Sequence, residues 1–147
     1  MAGYSGTPLP KKLGIKENHR VALLQKPVDF ELVPSEVPGG VCFAGDGKGP
    51  PLDVIVFFTK NLAELRKEFT KLSARLTPAG GLWIAWPKKV SGIPTDLTED
   101  IIREVGLAAG LVDNKVCAVD DVWSGLRFVV RVKDRTKKAP PARGRRS

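Results

Sequence analysis

Four lysines in this 147-residue chain stand just past apolar runs: Lys26 after "RVALLQ", Lys60 after "VIVFFT", and Lys88 with Lys89 after "LWIAWP". Ser91 and Thr95 follow the lysine pair in "VSGIPT", and Thr59 precedes Lys60. Ammonium and hydroxyl groups donate hydrogen bonds to phosphate or carboxylate oxygens, so the set is chemically suited to hold an anion. Trp86 stands beside the lysine pair, where it would wall a pocket or pack in the core. The competing role for the lysines is solvation, since a strand end is wet and charge keeps it soluble. Their chemistry therefore depends on whether the apolar runs are parallel strands whose carboxyl ends share one edge, the rim along which open α/β sheets bind ligands.

Other reactive residue types offer less. The one histidine, His19, follows Asn18 in a polar turn, and no metal-ligand spacing or Ser/His/Asp arrangement surrounds it. Cys42 and Cys117 lie far apart in "GVCFAG" and "KVCAVD" and read as buried, reduced thiols. Ser124 of "WSG" lacks a GxSxG context and a neighbouring base. Asp120 and Asp121 point apart if the chain is extended there, so acid–base work would need another acid from elsewhere. No metal site and no catalytic set emerges.

The elements that must position the lysines can be read from periodicity. "RVALLQ", "VCFAG", "LDVIVFFT" and "LWIAW" are short apolar runs without alternation, as expected of strands covered on both faces. Asn61 with Glu64, and Asp96 with Glu99, read as capping pairs at two helix starts. Leu62, Leu65, Phe69, Leu72 and Leu76 form the stripe of the first helix, which "TPAGG" ends. Leu97, Ile101, Val105 and Ala108 form the stripe of the second, with Gly110 as its stop. Both helix starts would offer free amides and about half a positive charge at the lysine edge. "KVCAVD" and "LRFVVRV", joined through "DVWSG", close the sheet as an antiparallel pair, with Gly125 permitting the turn and Trp123 packing over the sheet end. Trp83 and Trp86 are both placed on faces other than that of Ile84.

The order strand, strand, strand, helix, strand, helix, strand, strand gives one α/β domain: a three-layer, Rossmann-like sandwich around a mainly parallel sheet. Its bounds are read as a flexible lead-in over 1–12, the domain over 13–133 and a disordered basic tail over 134–147. The last fifteen residues hold seven Lys/Arg and one acid, against 17 basic and 15 acidic groups in the other 132, so the net charge of +8 belongs mainly to the tail. Hydrophobic content of 42% and charged content of 27% are those of a soluble globular domain. No apolar run reaches the roughly 18 residues that span a bilayer, and no signal-peptide pattern opens the chain, so no membrane contact and a cytoplasmic location are expected.

A resemblance attaches to these motifs. From "VIVFFTK" to "FVVRV" the order resembles the second half of class I methyltransferases, including the closing antiparallel pair. "YSGTPLPKKLGIKENHRVALL" and "GGLWIAWPKKVSGIPTDLTEDIIREVGLAAGLVDNKVCAVDDVWSGLRFV" resemble a bacterial family known as domain of unknown function 3052, over roughly residues 4 to 133. The resemblance implies the fold and a bacterial origin, and it carries no reaction and no catalytic residues. Methyltransferases follow the first strand with a glycine-rich turn that lets the backbone approach the cofactor. Here Lys26 and Pro27 occupy that turn and no glycine comes before Gly39, so S-adenosylmethionine binding is read as unlikely and no cofactor is expected.

Three functions stay open on this reading. The leading one is a non-catalytic binding or regulatory module with an anion-binding rim of Lys26, Lys60, Lys88, Lys89, Ser91 and Thr95, walled by Trp86. The alternatives are a degenerate methyltransferase-like enzyme acting on an anionic substrate, and a protein that contacts nucleic-acid phosphates weakly through its tail.

Overall fold

The computed structural model describes residues 7–134; the first six residues and the segment from 135, which carries nearly all of the expected tail, lie outside the described residues. Six strands form one sheet: β1 (Arg20–Leu24), β2 (Cys42–Phe43), β3 (Leu52–Phe58), β4 (Leu76–Pro87), β5 (Leu111–Ala118) and β6 (Trp123–Val130). The helices are α1 (Leu9–Lys12), α2 (Leu62–Ser73) and α3 (Glu99–Ala108). The strand order is β2-β1-β3-β4-β6-β5. The first four strands pair in parallel, and β6 runs antiparallel to both β4 and β5. The mainly parallel sheet with its antiparallel closing strands is the arrangement expected from the order of apolar runs. No helix of the described residues is long and apolar enough to cross a membrane.

Alternation along the strands divides the core in two. Ala22, Ile55, Phe57, Leu82, Ile84 and Trp86 face α2 and α3, meeting Leu65, Phe69 and Ile102. Val21, Val54, Val56, Phe58 and Trp83 face the other way, against Leu13, Ile15 and Phe30. Trp86 thus shares the face of Ile84, which corrects the placement of both tryptophans opposite it; they are three residues apart and so alternate. The second face has no long helix. It is covered by α1, by the chain between β1 and β2 with its short turn at Pro34–Glu36, and by the β5–β6 turn. The indole Nε1–H of Trp83 donates to the Leu13 carbonyl at 3.0 Å inside this layer, and Leu13 is fully buried.

Several local expectations change. Leu9–Lys12, inside the expected lead-in, form a helix: a proline in the first turn presets the backbone, and Pro10 is buried. "TPAGG" lies inside β4 instead of reversing the chain. α2 has already ended at Ser73, and the register passes from Leu52↔Leu76 to Val54↔Gly81, so the extra residues are absorbed as a bulge. The β5–β6 connection is shorter than "DVWSG". Asp120 Oδ1 accepts from the amides of Val122 and Trp123, both at 2.8 Å, and a carboxylate that closes a turn this way needs no glycine. Gly125 sits in β6 opposite Ala85, and Trp123 is a strand residue paired with Pro87. α3 is capped by Thr98, whose Oγ1 accepts from Ile101 N at 3.2 Å, and not by Asp96. Gly110, at φ +92°, does end the α3 segment.

α3 reaches the sheet closely at Gly106, where an added Cβ would collide with the Phe128 ring. That ring is held edge-on by Phe69, centroids 5.2 Å apart at 88°. Gly106→Ala would gain up to about 1 kcal/mol of helix propensity, against an overpacking cost of about 1–3 kcal/mol. Urea unfolding should therefore show net destabilisation, and a more stable variant would mean that α3 does not pack this tightly.

Candidate functional site

At the carboxyl edge the strand order reverses between β1 and β3, the position where open α/β sheets form a ligand crevice. The chain fills this crevice with its own polar groups. Gln25 takes φ +59°, and its Nε2 donates to the Phe58 carbonyl at 2.8 Å and to Glu64 Oε1 at 3.2 Å. Thr59 Oγ1 donates to the same Glu64 oxygen at 2.5 Å. The first amides of α2 are also served from within: Glu64 N donates to Asn61 Oδ1 at 2.8 Å and Leu62 N to Asp96 Oδ1 at 2.9 Å. Asp96 therefore caps the neighbouring helix, 34 residues away in sequence.

All six expected rim residues lie on this edge, with their donors differently committed. Lys26 is exposed and its Nζ donates to the Phe30 carbonyl at 3.2 Å. Lys60 and Lys89 are exposed, and Lys88 is half-buried, its amide donating to the Val122 carbonyl at 2.7 Å. Ser91 Oγ donates to the Lys88 carbonyl at 2.7 Å and accepts from Ile93 N. Thr95 Oγ1 donates to the Lys60 carbonyl at 2.6 Å and accepts from Leu97 N. Both hydroxyls thus hold the turn that carries the lysines. Trp86 is buried in the core on the α2–α3 face.

A cavity of about 640 Å³ lies at the same edge, beside the ends of β1 and β2 and under the Pro34–Glu36 turn. Leu23, Leu32, Val41 and Phe43 supply apolar walls, and Lys26 and Glu31 supply one charge of each sign. Sequence reasoning missed it. The available signal was the run of apolar residues in "VDFELVPSEVPGGVCF", a stretch too broken by proline to bury them on a helix.

The thiols differ from expectation. Cys42 is exposed, because β2 is the outermost strand, while Cys117 is partly buried. Burial pushes the Cys117 thiol up, opposed by the positive charges of Lys12 and Lys115. Among the described residues no cluster of three His, Cys, Asp or Glu could hold a metal ion. Arg103 binds Glu99 at 2.6 Å, Asp100 at 3.1 Å and Asp113 at 2.9 Å, which fastens α3 to β5.

No family model matches the chain, and no curated protein matches it in sequence. Solved structures do match in fold. The magnesium protoporphyrin IX methyltransferase of Synechocystis PCC 6803, solved with bound S-adenosylmethionine, superposes with a TM-score of 0.56 at 11% identity, covering 83% of this chain and 74% of that one. The Methanococcus jannaschii fibrillarin pre-rRNA processing protein gives 0.54 at 12% identity, over 79% and 68% of the two chains. A SAM-dependent methyltransferase of Aquifex aeolicus gives 0.51 at 15% identity, over 80% and 85%. The fold is a class I methyltransferase-like Rossmann fold. These neighbours overturn the expectation that S-adenosylmethionine binding is unlikely, since the sheet is of a kind that holds this cofactor. The missing glycine bore only on how closely the backbone can approach a ligand at the β1 turn, where Gln25 takes φ +59° without one.

Two outcomes follow. Asp96→Ala should cost about 1 kcal/mol in urea unfolding, the usual value of a helix cap, and Asp96→Asn much less; equal stability of wild type and alanine variant would exclude the cap. In timed thiol labelling at neutral pH, Cys42 should react first. Because the Cys117 thiol is pushed up, its labelling rate should keep rising at pH values where that of an unshifted thiol has levelled off.

Proposed function

We propose that this chain is a methyltransferase-like domain that binds S-adenosylmethionine, or a closely similar adenosyl ligand, in the cavity beside the ends of β1 and β2. One observation carries the reading: a cavity of about 640 Å³ at the carboxyl edge of a methyltransferase-like sheet, with apolar walls and a charge of each sign. Phe43, 48% exposed at the cavity, offers a face on which an adenine can stack. Lys26 can meet the ligand's carboxylate, and Glu31 its ammonium group or ribose hydroxyls. When bound, S-adenosylmethionine supplies an electrophilic methyl group. Lys60, Lys88 and Lys89, held by the Ser91 and Thr95 turn, stand at the same edge, and we assign them to an anionic acceptor. The fold gives no reason to prefer a non-catalytic role. The motif resemblance to domain of unknown function 3052 supports a bacterial origin.

Isothermal calorimetry with S-adenosylmethionine tests the proposal. Saturable binding is expected, weakened about tenfold or more by Phe43→Ala, a loss of about 1.4 kcal/mol. Lys26→Ala should weaken it as well, at a cost in stability of about 1 kcal/mol from the lost hydrogen bond to the Phe30 carbonyl. Absence of heat and of thermal stabilisation at millimolar ligand would refute the assignment, as would unchanged affinity in both variants.

A further inference from the structure

The opposite, amino edge of the sheet carries a second concavity, of about 390 Å³. It lies between the chain around α1, the start of β3, the bulged start of β4 and the β5–β6 pair. Lys11, Lys12, Lys16, Lys115 and Arg127 line it, against a single carboxylate, Asp53. The chain outside its last fifteen residues is nearly balanced in charge, so five cations to one acid is a local concentration and not a sample of the whole.

The four lysines have no acidic partner among the described residues. Among the described residues the three ion pairs all converge on Arg103, and Lys11, Lys12, Lys16 and Lys115 form none. Asp53 is committed elsewhere, accepting from Arg20 N at 2.9 Å and Thr77 Oγ1 at 3.4 Å. Two of the lysines are held in place by main-chain acceptors: Lys12 Nζ on the Ala118 carbonyl at 3.3 Å and Lys115 Nζ on the Lys12 carbonyl at 3.1 Å. An ammonium has three donors, so each keeps others for a ligand. His19 accepts from Lys16 N through Nδ1 at 3.1 Å, which leaves its proton on Nε2 as a further donor. Arg127 is placed by Gly81: its guanidinium occupies the space where a Cβ would stand, so it lies against the bare β4 backbone, with Nη1 donating to Asn114 Oδ1 at 3.3 Å.

Gathering like charges in a concavity costs repulsion that an anion relieves. We propose that the amino-edge concavity binds a chain of two or more phosphates, such as a diphosphate or triphosphate group. A single phosphate, with at most two negative charges near neutral pH, leaves at least two of the four lysines unmatched. His19 aside, no aromatic side chain lines the concavity, so the site recognises phosphates and stacks no base. The site is separate from the cavity beside β1 and β2, and either proposal can fail without the other. β6 ends at this same edge, where Val129 pairs with Gly81, and the sequence beyond residue 134 is basic. That sequence is therefore the natural rival for any anion bound here.

Calorimetry of the full chain with inorganic triphosphate at low salt decides the matter. One-to-one binding is expected, weakened at least about tenfold in Lys16→Glu/Lys115→Glu. Two variants of equal charge change should stay within about threefold of wild type: Lys67→Glu/Lys71→Glu on the exposed side of α2, and Arg143→Glu/Arg145→Glu in the terminal segment. The alanine pair Lys16→Ala/Lys115→Ala, both at exposed positions, guards against a folding defect and should also lose affinity. Equal losses in the cavity and α2 variants would reduce the effect to net charge. Loss confined to the terminal-segment variant, non-saturable binding, or unchanged affinity in both cavity variants would each overturn the proposal.

Discussion

A central strand buried on both faces has to be covered on both, and the described residues form only two helices longer than one turn. Both lie against the same face, carried there by the crossover from β3 to β4 and by the passage from β4 to β5. The other face is closed by irregular chain, and the indole of Trp83 on the Leu13 carbonyl fixes the segment that closes it. Irregular backbone near a core must still satisfy its amides and carbonyls. That requirement explains why so many polar side chains serve main-chain groups: Asp120 in the β5–β6 turn, Asp53 on the amide of Arg20, and Lys26 on the carbonyl of Phe30.

The two ends of the strands have acquired different chemistry under this constraint. At the carboxyl edge Gln25, Thr59, Glu64, Asn61 and Asp96 satisfy one another or the backbone, so the crevice between β1 and β3 is closed and the free volume has shifted toward β2. At the amino edge the lysines face one another across a concavity with one acid among them. Methyltransferase-like topology accounts for the first edge. It does not account for the second, whose cations come from α1, the loop after it, β5 and β6.

How much could be read in advance follows from the range over which each signal acts. The strand "LDVIVFF", the stripe Leu65–Phe69–Leu72 and the capping of α2 by Asn61 are local patterns, and each appears as expected. Asp96 misled because its spacing to Glu99 imitates a local cap, whereas its partner is the amide of Leu62, reached only once the strands have aligned. "TPAGG" misled because a bulge and a reversal use the same residues. The lysine rim was half legible: its members do share an edge, and the hydroxyls of Ser91 and Thr95 turn toward backbone carbonyls, which no spacing reveals. The amino-edge cluster was illegible because its members span residues 11 to 127 and only the strand order gathers them.

The two outer strands bear on self-association. β2 is two residues long, and β5 slips register between Asp113 and Lys115, where Asn114 and Lys115 are exposed. An open sheet edge recruits further strands when it is long, flat and apolar. One margin of this sheet is too short to template a neighbour, and the other is kinked and charged. Neither margin, among the described residues, offers the long, flat, apolar edge on which a further strand is most readily templated.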